Sequence, residues 1–217
     1  PLGYCTKLSA CQVIRRKRSG TIVVKCPWSA VKEPVAPGLA AGLSSEGFGF
    51  VNGFLAGPHA DSLRAHVLEE WKNGRLKPGE VEGGERPKVR LDVSAYLEET
   101  EDWIADFTRP LDQLVLKLAA KVPELRKYQL MRGRPMVAVY QGVGSKYTPH
   151  YDAVCGDNGR VLTCILYLNP FWRRSDGGQL RLWPDAKGLI TEGQSHDIEP
   201  LHGRLAAFLC NSRNLHE

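Results

Sequence analysis

The chain has no Cys-x-x-Cys pair, no run approaching the ~18 consecutive apolar residues of a membrane span, and no internal repeat. Its six cysteines, at 5, 11, 26, 155, 164 and 210, therefore suggest neither a zinc ribbon nor a thioredoxin-like redox motif. No apolar signal-peptide core precedes the body, and the abrupt Pro1 and Glu217 ends read as those of a piece of a longer chain. Strong charge of one sign is missing too. The net charge is +5, and Arg15, Arg16, Lys17 and Arg18 account for four of those units. The nearly neutral remainder argues against a nucleic-acid footprint over the folded body. The RRKR run fits a nuclear-import signal, a phosphate-binding tail or a plain solvated segment.

What is present is ordinary globular material. With 217 residues, 42% of them apolar and 24% charged, the chain can bury about 70% of its unfolded surface and needs no disulfide staples. The cysteines read as mostly reduced, which together with the basic run and the lack of a leader points to cytoplasm, nucleus or both.

Residues 1–45 are the least legible part and read as an N-terminal extension or arm. Ile22–Val24 suits a short strand, while Pro27, Pro34, Pro37, Gly38 and Gly42 break longer elements. From 46 to 217 a single domain is expected. FGFVNGFL reads as a strand and turn, and Pro58 opens a helix through Leu63, Val67, Leu68 and Trp71. The Gly- and Pro-rich stretch 73–88 reads as a loop, and KVRLDVSAYLE (88–98) as a strand. Thr108 is expected to cap a helix with Pro110 in its first turn, closed by Pro123. Short strands follow at 136–140, 161–169, 179–183 and 204–210. Two helices and then a run of strands predict a mainly β, α+β sandwich with helices on one face.

His150 and Asp152 form an HxD pair after the Gly-rich turn QGVGSKYTP. Residues two apart in extended backbone share a face, so an imidazole and a carboxylate can lean toward one ion. His216, after the apolar strand RLAAFLC and a polar turn, is either a third ligand or a partly buried histidine bonded to backbone. As a ligand it would complete a two-histidine, one-carboxylate facial triad with three open positions. Those positions fit a bidentate 2-oxo acid plus dioxygen, although ligand identity alone does not exclude zinc hydrolysis.

The segments MVAVYQGVGSKYTPHYD, NGRVLTCILYLN, GGQLRLWP and NSRNLHE closely resemble the catalytic core of the hypoxia-inducible-factor prolyl hydroxylases, among the iron- and 2-oxoglutarate-dependent protein prolyl 4-hydroxylases. The resemblance implies a distorted double-stranded β-helix (jelly roll) with Fe(II) held by His150, Asp152 and His216. It implies 2-oxoglutarate as cosubstrate, dioxygen as oxidant and ascorbate as reductant. A prolyl residue of a protein partner would be hydroxylated at C4 in an oxygen-sensing role; the partner would be a hypoxia-factor-like protein or the Skp adaptor, with no membrane or nucleic acid involved. Tyr140 and Tyr167 fall on cosubstrate-pocket tyrosines and Leu180 on an apolar wall, the alternative for both tyrosines being ordinary core packing. Tyr147 and Arg160 match positions near the peptide entrance, where Arg160 is equally well a solvated charge. The 73–88 loop corresponds to the family's peptide-closing loop. The family's arginine for the far carboxylate of 2-oxoglutarate would lie past Glu217, and Leu215 stands where relatives carry proline. Alternatives are a β-sandwich binding module that keeps the triad without turnover, or a related oxygenase with another substrate.

Overall fold

The computed structural model describes residues 4–9, 13–16, 35–79, 91–98, 102–142, 144–153, 158–184, 194–210 and 213–217. In chain order the elements are β1 (Tyr4–Ser9), β2 (Val13–Arg16), α1 (Val35–Ser45), β3 (Phe48–Val51), α2 (Gly57–Lys72), β4 (Lys77–Pro78), β5 (Asp92–Tyr96), α3 (Asp102–Lys121) and α4 (Pro123–Arg126). Then come β6 (Gln129–Arg132), β7 (Met136–Gln141), β8 (Arg160–Tyr167), β9 (Leu180–Pro184), β10 (His196–Ile198), β11 (Leu205–Leu209) and β12 (Asn214–His216).

The strands form two antiparallel sheets. The larger runs β3-β11-β8-β1-β7-β5-β4, with β2 pairing β8 and β6; the smaller runs β10-β9-β12. Because side chains alternate along a strand, β8 and β11 feed two cores at once. Cys164 and Leu166 of β8, with Leu205, Ala207 and Leu209 of β11, pack in one core with residues of α1, α2 and α3. Ile165 and Tyr167, with Ala206 and Phe208, pack instead with Leu180, Leu182 and Ile198 of the smaller sheet. Both faces are covered, which is why these strands read as continuous apolar runs. The result is a mainly β, α+β jelly roll with helices on one side and the space between sheets on the other. Among the described residues no helix is long and apolar enough to cross a membrane.

Two expectations about local elements need correction. Residues 1–45 read from sequence as an extension or arm with its longer elements broken, yet the described parts add strands to the large sheet: β1 pairs with β7 and β8, and β2 with β6 and β8. A strand inserted between two others needs only free backbone donors and acceptors on them, so composition conceals it. The same stretch holds α1, despite Pro37, Gly38 and Gly42. Proline is tolerated in a helix's first turn, and Gly42 permits a close approach, since a Cβ there would lie 2.7 Å from the Phe48 carbonyl. The second correction concerns α3, which starts at Asp102, well before Thr108, and carries Pro110 in its interior. Ile104, Phe107, Leu111, Leu114, Val115 and Leu118 are all buried at helical spacing. That apolar stripe outweighs the one backbone bond that Pro110 removes. Ile22–Val24 and residues 80–88 of the expected peptide loop lie outside the described residues; Lys77–Pro78 pairs with β5.

Candidate metal centre

His150 and His216 are held together by backbone. The His150 amide donates to the His216 carbonyl at 2.9 Å, and the His216 amide returns the bond at 3.0 Å. This bridge joins the turn after β7 to β12. Each imidazole is then oriented locally: His150 Nδ1 lies 2.9 Å from the Thr148 carbonyl, and His216 Nδ1 lies 3.0 Å from that of Asn214. With Nδ1–H donating to a carbonyl, each Nε2 keeps its lone pair for a metal. The ring of Tyr147 stacks on His150 at 3.7 Å, and Phe208 packs against His216 at 4.5 Å.

Asp152 closes the set. Its Oδ1 lies 3.7 Å from His150 Nε2 and 3.8 Å from His216 Nε2. All three donor atoms fall within 4.8 Å of one another, close enough for one first-row ion bonded at about 2.1 Å. The other carboxylate oxygen, Oδ2, accepts the Thr163 hydroxyl at 2.5 Å, and the Asp152 carbonyl accepts from Asn158 Nδ2 at 2.7 Å. Burial pushes the Asp152 carboxyl up, but His216, the Thr163 hydroxyl, His150 and Arg160 outweigh it and leave the group below the usual carboxylate range. Once a metal displaces any Nε2 proton, this carboxylate and the two imidazoles form a donor set that fits a divalent cation.

A cavity of about 290 Å³ opens beside this cluster, lined in part by Tyr140, Tyr147, Tyr167 and Leu180. Four residues singled out from sequence thus share one wall system. Tyr167 is buried on β8, and Leu180 begins β9 on the opposite sheet. Arg160 is placed differently. Its Nη1 approaches the Asp152 carbonyl at 3.4 Å and Oδ1 at 4.0 Å, so it flanks the metal cluster rather than the cavity. The cavity also takes in Lys146, Arg181 and Glu217, which sequence reading did not place there. Arg181 is turned to Asp197, with Nε–Oδ1 and Nη2–Oδ2 bonds of 2.7 and 2.9 Å. Only the β9–β10 pairing, with Asp197 opposite Arg181, reveals that partnership. Cys164 and Cys210 are free and buried, and burial pushes the Cys164 thiol up to about 12.

Residues 135–217 match the 2OG-Fe(II) oxygenase superfamily. The chain is 33% identical over 184 residues to the prolyl hydroxylase EGLN3 of Mus musculus, a match covering 81% of this chain and 73% of the relative. Among solved structures, a Trichoplax adhaerens prolyl hydroxylase, in complex with a peptide fragment of the hypoxia inducible factor oxygen degradation domain, superposes with a TM-score of 0.74 at 28% identity, covering 83% of this chain and 80% of that one. A prolyl-4-hydroxylase of Pseudomonas putida gives 0.69 at 26% identity, covering 82% and 88%.

Proposed function

The chain belongs to the EGLN-type prolyl hydroxylases of the 2OG-Fe(II) oxygenase superfamily, and we propose that His150, Asp152 and His216 are the residues through which it holds its iron. It is an Fe(II)- and 2-oxoglutarate-dependent dioxygenase that hydroxylates a prolyl residue of a protein substrate in oxygen sensing. The observation that carries the site assignment is the convergence of two Nε2 atoms on a single carboxylate oxygen at 3.7 and 3.8 Å.

Bound iron and 2-oxoglutarate supply the oxidising chemistry that places one atom of dioxygen on the prolyl ring. The protein's part is positioning and exclusion of water. The backbone bridge between His150 and His216 sets the separation of the imidazoles, and the two carbonyls set their tautomers. Asp152 neutralises half of the metal charge. Tyr140 and Tyr167 offer phenolic donors to the cosubstrate, since a tyrosine joins an apolar body to a hydrogen-bonding tip. Leu180 keeps the cosubstrate side of the cavity dry. Tyr147, stacked on His150, lines the same cavity and would meet the substrate peptide there. Arg160 serves the cluster more than the peptide, given its distances to Asp152. Residues 46–217 would then form the catalytic domain, completed by the strands of 1–45.

We favour a hypoxia-factor-like protein as substrate over a Skp adaptor, because the Trichoplax relative carries a peptide of the former kind. Residence in the cytoplasm or nucleus, with ascorbate as reductant, follows the same reading. The test is incubation with Fe(II), 2-oxoglutarate, ascorbate and proline-containing peptides of both kinds. Succinate and a peptide heavier by one oxygen are expected. Iron binding without either product would favour a binding module that has kept the triad.

A further inference from the structure

Two faces of β8 do different work, and Thr163 is the polar residue on the face that looks toward the metal cluster. It is 5% exposed, paired with Phe208 across β11, and β-branched, so its side-chain torsion is stiff. Its hydroxyl lies 2.5 Å from Asp152 Oδ2, within the range of a charge-assisted O–H···O⁻ bond. The oxygen facing both histidines is the other one, Oδ1. Cys210 Sγ lies 3.0 Å from the same hydroxyl oxygen. A hydroxyl has one proton; with that proton committed to Asp152, the thiol donates to the threonine lone pair. Burial keeps Cys210 a thiol, its titration being pushed well above the ordinary value. The result is a directed chain, S–H to O–H to carboxylate, ending on Oδ2.

We infer that Thr163 is a positioning residue that restricts Asp152 to one-oxygen ligation, holding Oδ2 back so that Oδ1 alone meets the metal. This rests on the assignment of the triad above. A carboxylate free to rotate about its Cβ–Cγ bond can offer both oxygens to a cation, and would then fill a coordination position that the cosubstrate and dioxygen need. Arg160 does not substitute for the clamp, since its guanidinium approaches Oδ1 rather than Oδ2, at 4.0 Å.

The test compares Thr163→Val, which keeps the shape and removes the hydroxyl, with Thr163→Ser, which keeps the hydroxyl. Each metal-free protein is titrated with Co(II) and followed by visible absorption, and its thermal unfolding is recorded without metal. Thr163→Val is expected to bind Co(II) about 10- to 100-fold more weakly, with altered band intensities reporting a changed coordination number. Thr163→Ser should stay close to the parent in both. Should the valine protein fail to fold, Thr163→Ala carries the same expectation. Wild-type affinity and spectrum in the hydroxyl-free variants would overturn the inference, as would equal weakening in the serine variant. If the unsubstituted protein bound no Co(II), the triad assignment would fail instead.

Discussion

The ring of Phe208 packs against the imidazole of His216, with centroids 4.5 Å apart and planes tilted by 51°. Phe208 is fully buried in the core between the sheets, so the residue that builds the fold there also walls one candidate ligand. Truncation should register in both. Phe208→Ala is expected to destabilise the metal-free protein by about 3–5 kcal/mol and to weaken metal binding. Phe208→Leu, which retains most of the volume, should cost less on each count. Urea unfolding and a metal titration on both variants check this; unaltered metal affinity in the alanine protein would separate core from site.

Tyr167 allows the cosubstrate assignment to be tested apart from the metal. Its backbone is fixed on both sides, the amide donating to the Arg204 carbonyl and its own carbonyl accepting from Gly203, each at 2.9 Å. Tyr167→Phe therefore removes one O–H with little disturbance of the strand. Loss of one hydrogen bond to a carboxylate, about 1.5 kcal/mol, should raise the KM for 2-oxoglutarate roughly tenfold. Metal affinity should not change. A KM equal to that of the parent would return Tyr167 to the role of a core aromatic.

What the sequence discloses depends on whether a feature is local. His150 and Asp152 are legible because a spacing of two places side chains on one side, whatever the rest of the chain does. His216 is far away in sequence, and its place came from the family resemblance; the reciprocal backbone bonds with His150 have no signature in either segment. The apolar runs of β8 and β11 are legible as strands, but their division into two cores is a matter of parity seen only once both sheets are in place. Thr163 belongs to one parity and Cys164 to the other. Helix α3 begins before its Thr-x-Pro start signal because that signal stands inside a longer apolar stripe. β1 left no signal, its register being set by β7 and β8 rather than by its own pattern.

Pro110 carries an energetic cost within α3. It lies inside α3, where the missing N–H leaves the carbonyl one turn back without its helical partner. The stripe from Ile104 to Leu118 pays for this defect through burial. Pro110→Ala restores the donor, and is expected to stabilise the protein by about 1–3 kcal/mol without changing turnover, since α3 packs on the face of the large sheet away from the metal cluster. Denaturant midpoints and a hydroxylation assay test both halves. A lower midpoint would mean that the surrounding helices require the proline's geometry.

Acid should expose the Arg181–Asp197 pair. The hydrogen bonds from Arg181 outweigh partial burial and hold the Asp197 carboxyl below its usual range. A group whose folded value is depressed contributes stability that is complete above its unfolded value, near 3.9, and is lost as pH falls through the folded value. The two side chains are partly exposed, at 43% for Arg181 and 29% for Asp197, so solvent screening limits the contribution to about 1 kcal/mol or less. For a chain of this size that corresponds to roughly 2–4 °C in Tm per kcal/mol. Asp197→Asn should therefore melt slightly below the parent at pH 7, and the difference should close as the buffer is acidified through the depressed folded value of Asp197. Thermal melts of the two proteins across that range provide the measurement. A gap that persists undiminished in acid would mean that the aspartate acts through packing or neutral hydrogen bonds rather than through its charge.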